Sequence, residues 1–370
     1  MTESQQLALH LAQGQDATPK NIERVAAKVG GEDARWAFTQ WELRKRARAK
    51  FALADQMLFD RDGLEMATHE RVAEYHASHF PKGETVADLC CGIGGDLVAL
   101  AKRGPVIGYE TDPVRAEYAR HNLSVHGLEG EVCDHSADTS ALACDSVFLD
   151  PQRRGKSGYG EPDPTLLKER ANKSGLIVVK LGTSFDMEQV REDLFPCVEA
   201  VSFGGECREL LAKSCGGPGR YAYHVETSSR LKSREETSIV PEPGQYLLHA
   251  DPALIKAGAL SAFYDDERIT LLGDSDGYLT SEQPTFSHWW KTYRVVYNGP
   301  ADRKTTQANL AQLGARVVEV KTRGVSEPAE RIRARFKAAG IRPLILAVWP
   351  VDKSLRHTLV EPVDKPGYGL

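Results

Sequence analysis

Short apolar runs alternate with helical patterns through the middle of the chain. Four apolar runs lie at residues 86–89, 106–109, 146–149 and 176–179, and helical spacing at 97–101 and 113–126 lies between them. Apolar runs this short are typical of buried strands. Strands that alternate with helices predict a mainly parallel, doubly wound α/β sheet that binds its ligands at the carboxyl ends of the strands.

Residues 1–80 have the patterning of helices, and large apolar groups at 36, 38, 41 and 43 precede a basic run at 44–50. That run fits either a solvated helix face or a strip that contacts phosphates. Residues 58–68 predict a short extended piece around a turn. A helix at 69–79 then follows, with Thr68 as its N-cap.

Beyond the strand predicted at 176–179, Asp186 is predicted to cap a helix at 187–194. Strands at 198–203, 210–212 and 221–225 are predicted to complete the sheet with an antiparallel hairpin. The polar stretch 227–244 reads as a linker. The patterns after it predict a separate small α/β unit. We therefore predict a helical region at 1–80, a central domain at 81–227 and a C-terminal domain at 245–360.

Composition narrows the class of protein. The chain has 370 residues, of which 41% are hydrophobic and 27% charged, as in soluble globular proteins. It has no 18-residue apolar run and no signal-peptide pattern at its start, so we expect no membrane span. Seven cysteines without a Cys-x-x-Cys pair indicate a reducing, cytoplasmic setting and no zinc site. The net charge of −5 means that any nucleic-acid surface is local.

A tight glycine turn follows the first predicted strand. Asp88 closes the strand, and Gly92, Gly94 and Gly95 precede an apolar helical run. The glycines allow positive φ and let a ligand approach where a Cβ would stand, facing the free N–H groups at the helix start. Without the full G-x-G-x-x-G pattern of dinucleotide enzymes, the turn favours S-adenosylmethionine (SAM) over NAD. A purely steric glycine turn is the alternative.

Acidic residues end the next strands. Glu110 stands 18 positions after Gly92, and Asp134 ends a short third strand that is predicted at 131–134. In nucleotide-binding α/β units an acid about that far downstream accepts hydrogen bonds from the ribose hydroxyls. Parallel strands end at one edge of their sheet, so Gly92, Glu110, Asp134 and Asp150 are predicted to line one crevice.

Asp150 and Pro151 follow the fourth strand, with Arg153 and Arg154 just beyond. The Asp150 carboxylate and the Pro151 carbonyl can accept hydrogen bonds from an exocyclic amine and aim its nitrogen lone pair at a methyl donor. The arginines can clamp a phosphate or a carboxylate with paired hydrogen bonds. We predict these four residues as the catalytic site. The alternative is a strand-ending turn with surface arginines.

The motifs at 58–68, 88–95, 110–113 and 182–190 resemble those of class I methyltransferases, and among these the trimethylguanosine-synthase-like group. With its Asp-Pro-x-Arg-Arg site and the segment 202–209, the whole chain is similar to bacterial SAM-dependent methyltransferases that carry a C-terminal THUMP-like domain. The resemblance implies a Rossmann-like class I methyltransferase sheet, an N-terminal helical region and a small C-terminal α/β THUMP-like domain. The SAM contacts that it implies come from Thr68, Asp88, Cys90, Gly92, Gly94, Glu110 and Asp134.

The same resemblance places Asp134 beside the adenine amine, or Asp138 if the loop register differs by a few residues. The chain departs from the cap-methylating enzymes at Gln152, where they have an aromatic residue that stacks on the base, so guanine specificity is not inherited. Tyr159 is a nearby aromatic candidate. Carbon methylation of a pyrimidine would need a nucleophilic cysteine in this loop, and none stands between Cys144 and Cys197.

The THUMP-like resemblance implies structured RNA as partner. Seven basic residues against three acidic ones stand between 316 and 337, and Arg331 and Arg335 could share a helix face for phosphate contacts. A solvated helix is the alternative. Trp289 and Trp290 are predicted to be core residues.

These observations predict a SAM-dependent N-methyltransferase that acts on a base amine of RNA. A small-molecule or protein methyltransferase, and a non-catalytic RNA-binding protein that retains SAM, are the alternatives. No pattern in the sequence indicates the oligomeric state.

Overall fold

A computed structural model describes residues 1–139, 142–151, 163–167, 175–234, 239–263, 266–273, 277–337 and 340–364. The chain divides into two compact units. The first comprises Met1–Leu181, Gln189–Pro196 and Leu211–Gly217, and the second Gly182–Glu188, Cys197–Leu210 and Pro218–Leu370. The domain boundaries at 80, 227 and 245 stay predictions.

Five helices begin the first unit, as the helical patterning predicts: α1 Glu3–Ala12, α2 Pro19–Val29, α3 Gly31–Ala47, α4 Arg61–Met66 and α5 Glu70–Ser78. Local signals start them. Thr2 and Gln5 form a capping box on α1, and Thr18 caps α2 just before Pro19. The apolar faces of α1–α4 pack into one core that includes the buried Phe38, Leu43 and Phe59.

Two predictions for residues 58–69 are wrong. The predicted extended piece contains α4, because the Asp60 carboxylate accepts a hydrogen bond from the Gly63 N–H (3.1 Å) and so caps a helical turn. Thr68 does not cap α5. His69 does, with its Nδ1 accepting from the Arg71 N–H (3.2 Å). Thr68 is buried and bonds elsewhere.

The basic run 44–50 does more than cover a solvated face. Arg44 is buried and its Nε donates to the Met57 carbonyl (2.9 Å), and burial, only partly offset by Asp55, lowers its pKa to about 10. The Lys50 ammonium donates to the carbonyls of residues 64, 65 and 67. These two cations therefore fix the segment between α3 and Thr68, while Lys45 and Arg46 are exposed.

A parallel sheet completes the first unit. Its strands are β1 Val86–Asp88, β2 Val106–Tyr109, β3 Glu131–Cys133, β4 Ser146–Leu149 and β5 Ile177–Leu181, in the order β3-β2-β1-β4-β5. Helices α6 Gly95–Ala101 and α7 Pro113–Val125 lie between strands in the chain. The strand order reverses between β1 and β4, which is where open α/β sheets bind ligands.

The second unit contains β6 Cys197–Phe203, β8 Gly219–His224 and β9 Ser229–Lys232; β8 pairs in parallel with β6 and antiparallel with β9. Strand β7 is Glu206–Lys213. The linker predicted at 227–244 therefore contains β9 and also a two-residue strand, β10 Ile239–Val240. Exposed polar residues alternate along β9 and obscure its pattern. The predicted helix at 187–194 is reduced to a 3₁₀ turn at Met187–Gln189.

A second sheet has the order β10-β12-β13-β11-β14-β17-β16-β15. Its strands are β10 Ile239–Val240, β11 Tyr246–Ala250, β12 Thr270–Leu272, β13 Tyr278–Ser281, β14 Trp290–Pro300, β15 Ala315–Thr322, β16 Arg342–Val351 and β17 Ser354–Pro362. Between them in the chain lie α8 Pro252–Lys256, α9 Arg303–Gln312, α10 Ala329–Arg333 and a 3₁₀ turn at Ala259–Phe263. A further 3₁₀ turn at Pro164–Leu167 lies in the first unit, between β4 and β5. Trp289 and Trp290 are buried, as predicted for core residues.

The predicted basic helix face is not formed. Helix α10 ends at Arg333, so Arg335 lies beyond it and does not share a helix face with Arg331. Arg335 pairs with Glu327, and Lys321 pairs with Glu319 (2.6 Å). Because Arg335 and Lys321 form ion pairs with acidic side chains, the case for a phosphate-binding strip on this helix is weaker.

His249 on β11 makes stability depend on pH. Burial, reinforced by Arg323, Lys321 and Lys291, lowers its pKa to about 3 from 6.5. As the pH falls below 6.5, the unfolded chain takes up the proton first, so stability is full above that pH and is lost as the pH falls toward 3. When the pH falls from about 7 to about 5, we expect the shifted pKa of His249 to lower the free energy of unfolding by about 1–2 kcal/mol.

Urea unfolding of the full chain at both pH values measures this loss. His249→Gln should remove most of that difference, because glutamine does not titrate. An equal pH dependence in both proteins would contradict it.

Candidate functional site

The glycine turn gives each of two glycines a separate task. Both lie in the left-handed region, at φ +54° for Gly92 and φ +88° for Gly94. A Cβ on Gly92 would meet no described atom within 4 Å, so this position leaves a ligand an open approach. A Cβ on Gly94 would stand 3.2 Å from the Ala119 Cα, so glycine there lets α7 pack closely.

Gly94→Ala should lower the free energy of unfolding by about 2 kcal/mol, since positive φ costs a Cβ-bearing residue about 1–2 kcal/mol and the Ala119 contact adds to it. Urea unfolding measures this. Gly83→Ala is the matched control, because Gly83 has φ +86° but no described atom within 4 Å of a Cβ. Equal losses in both variants would show that the close packing is unimportant.

The Asp88 carboxyl lies beside this turn. It is 1% exposed; its Oδ1 accepts from the Cys90 N–H (3.3 Å), and its Oδ2 has no hydrogen-bond partner among the residues described. Burial, and then the neighbouring Asp96, raise its pKa well above the usual range. A buried polar oxygen without a hydrogen-bond partner is costly, so this carboxyl suits a ligand that forms a hydrogen bond with it.

Glu110 is held firmly at the end of β2. It is 7% exposed, and its Oε1 accepts from the Asp112 N–H (2.8 Å), while Asp112 caps α7. The parallel register sets Asp88 beside Gly108, two residues before Glu110. Asp134 follows β3, and Asp134 and Asp138 are both exposed, so burial does not favour one over the other as an adenine contact.

Asp150 lies directly after β4, and its side chain is 34% exposed. The Lys180 ammonium donates to Asp150 Oδ2 (2.6 Å) and to Thr68 Oγ1 (2.9 Å). Pro151 is buried. Lys180 thus joins a predicted catalytic residue to a predicted cofactor contact. Gln152, Arg153, Arg154 and Tyr159 lie outside the described residues.

The site so built is a crevice at the carboxyl ends of parallel strands, with a glycine turn and acids at four strand ends. No known family model matches the chain. A crystallised protein of Porphyromonas gingivalis W83, titled as a candidate methyltransferase, is 20% identical and has a TM-score of 0.76 over 98% of this chain and 100% of its own. The fold is that of a class I methyltransferase.

Sequence relatives point the same way. An uncharacterised S-adenosylmethionine-dependent methyltransferase of Mycobacterium tuberculosis is 27% identical over 351 residues, which cover 88% of this chain and 96% of that protein. Two shorter matches are local. Trimethylguanosine synthase of Schizosaccharomyces pombe is 39% identical over 96 residues (22% of this chain, 38% of that one), and a 23S rRNA (uracil(1939)-C(5))-methyltransferase of Shewanella is 37% identical over 81 residues (20% and 18%).

Three residues of this methyltransferase fold escaped the sequence analysis: Lys180, Asp96 and His76. Thr68 Oγ1 donates to Asp96 Oδ2 (2.7 Å), and Asp96 Oδ1 bonds His76 Nδ1 (2.7 Å). Burial acts to raise the pKa of Asp96, but His76, Lys180 and Thr68 outweigh it and lower the pKa to about 2. The one signal in the sequence that could have pointed to these residues is Lys180 itself, a lysine inside an otherwise apolar strand.

In the described part of the chain, no helix combines the length and the apolar character that crossing a bilayer requires. Nor do three or more His, Cys, Asp or Glu side chains converge there as a metal site would need.

Proposed function

We propose that this methyltransferase transfers a methyl group to an amine of an RNA base. SAM is the cofactor, and its sulfonium supplies the methyl group. The residues present fit it: Gly92 leaves an approach without a Cβ, Asp88 presents a buried carboxyl oxygen that has no hydrogen-bond partner among the described residues, and Glu110 presents a fixed carboxylate. These three, with Thr68, Cys90, Gly94 and Asp134, are the cofactor contacts that we propose.

The observation that carries the reaction type is Asp150 at the end of β4, held by an ammonium group. Its carboxylate and the Pro151 carbonyl accept hydrogen bonds from an amine and orient its lone pair, and such positioning supplies much of the rate of a transfer. The sequence has no cysteine between Cys144 and Cys197, so this loop offers no nucleophile for carbon methylation.

RNA as the substrate is supported by the Shewanella relative, whose name gives 23S rRNA as its target. That relative is named as a C5 methyltransferase, so it supports RNA as the class of substrate but not an amine nitrogen as the atom that is methylated. The THUMP-like domain proposed for residues 245–360 is a second support, as is the pair Arg153 and Arg154, which suits phosphates. We place the protein in the cytoplasm, where its RNA would be.

The test incubates the purified protein with methyl-labelled SAM and total RNA from a strain of the source organism that lacks the gene. We expect label in one N-methylated nucleoside after digestion. Label in a C5-methylated pyrimidine would refute the proposal that a base amine accepts the methyl group. Label in a protein or a small molecule would refute RNA, and SAM binding without transfer to any fraction would leave a non-catalytic role.

A further inference from the structure

Lys180 lies inside the site without a role in the proposed reaction. It stands on β5, next to the strand that ends at Asp150, and its side chain is 11% exposed. A lysine this buried needs partners for its charge. Its ammonium donates to Asp150 on one side and to Thr68 on the other.

The contacts continue from Thr68 into the interior. Asp96 binds Thr68 through Oδ2 and His76 through Oδ1, and the fully buried His76 ring stacks on Phe148 at a centroid distance of 5.4 Å. Phe148 belongs to β4, two residues before Asp150. The chain of contacts therefore starts at Asp150 and returns to its strand, which leaves the Asp150 carboxylate little freedom to turn.

We propose that Lys180 is a positioning residue that fixes the Asp150 carboxylate and couples it, through Thr68, to the cofactor side of the crevice. This rests on the proposed function. The ammonium favours the ionised carboxylate, the form that accepts hydrogen bonds from an amine, and holds it in one orientation. Thr68 relays the position of Lys180 to Asp96, so the two halves of the site keep a fixed spacing.

Three variants test this with labelled SAM and the RNA substrate. Lys180→Met keeps most of the length of the side chain and removes the charge. Lys180→Arg keeps the charge, and Lys102→Met removes a lysine on the surface that pairs with Glu74. We expect Lys180→Met to lower kcat roughly 10- to 100-fold, with the KM for RNA within about threefold, because the group that it misplaces acts in the transition state. Lys180→Arg should recover about tenfold of that loss, and Lys102→Met should match the wild type.

The pH profile separates positioning from a merely structural role. Without the ammonium, protonation of the Asp150 carboxylate becomes more favourable. The acidic limb of the profile of kcat against pH in Lys180→Met should therefore shift to higher pH by about one unit. A lower fraction of folded enzyme would scale the whole profile and leave its limbs in place. Unmoved limbs, or a kcat within twofold of the wild type, would overturn the proposal. If Lys180→Met does not fold, a Lys180→Arg variant as slow as Asp150→Asn overturns it, whereas a Lys180→Arg variant with partial activity and the acidic limb of the wild type supports it.

The ion pair is also measured without turnover. Acetic anhydride labels exposed amines, and mass spectrometry follows the rate at Lys180. We expect labelling at least about fivefold faster in Asp150→Asn than in the wild type, because the ammonium loses its charged partner. Equal rates of acetylation in the two proteins would show that Lys180 and Asp150 do not form this ion pair, whichever substrate the enzyme methylates. Faster labelling together with failure of methyl transfer to every RNA would instead refute the RNA function and leave the pair intact.

Discussion

Replacing Asp150 by asparagine is expected to slow methyl transfer roughly 100- to 1,000-fold, while SAM affinity stays within about threefold of the wild type. Asparagine keeps the shape of the side chain but turns one acceptor oxygen into a donor, which opposes an incoming –NH2 group. It also loses the charge that pairs with Lys180 at 2.6 Å. Single-turnover kinetics with saturating SAM measure the rate, and calorimetry measures the affinity.

Asp193→Asn is the matched control, since Asp193 is exposed and its carboxylate pairs with Arg191 (2.7 Å) in its own turn. It should leave both quantities unchanged. If Asp150→Asn retains more than about a tenth of the wild-type rate, this carboxylate does not orient the acceptor.

Glu110→Gln is expected to weaken SAM binding roughly 10- to 100-fold, with a much smaller effect on the rate at saturating SAM. The amide can still accept from the Asp112 N–H through one oxygen, so the turn before α7 is kept. It cannot offer the second acceptor that a ribose with two hydroxyls requires. Calorimetric titration with SAM measures the dissociation constant.

Glu131→Gln provides the comparison for this experiment. Glu131 is an exposed glutamate at the start of the neighbouring strand β3, away from the carboxyl ends. A dissociation constant that is unchanged in Glu110→Gln, or raised equally in both variants, would show that Glu110 does not contact the cofactor.

The sequence predicted the parts of the fold that depend on local patterns. The strands that end near Asp88, Glu110, Asp134 and Asp150 are present, and Asp112 caps α7 as predicted. Apolar runs and capping residues act over a few positions, so their pattern survives in the sequence alone. The glycine turn was predictable because positive φ leaves few residue choices.

The parts that were mispredicted depend on contacts far along the chain. Thr68 was predicted as an N-cap, which any Thr before a helical pattern suggests, but its hydroxyl bonds Asp96, 28 positions away, and Lys180, 112 positions away. Arg44 and Lys50 were treated as one basic run, whereas each bonds backbone carbonyls of a segment that folds back over α3. Spacing in the sequence carries no signal for such pairs.

Strand β17 was missed for a different reason. It pairs antiparallel with β14 and β16 inside the sheet, and the described turn before it contains Asp352 at φ +50°. Its residues Ser354–Pro362 mix exposed and buried positions without a clean alternation. Strand signals weaken where neighbours on both sides, and not periodicity, decide the conformation.

The measurement that tests the central claim most directly is nucleoside mass spectrometry of RNA from the deletion strain, complemented with the wild-type gene or with Asp150→Asn at equal protein levels. The proposed function predicts one N-methylated base that is present with the wild type and absent with the variant. Identical nucleoside profiles in the two strains would contradict it.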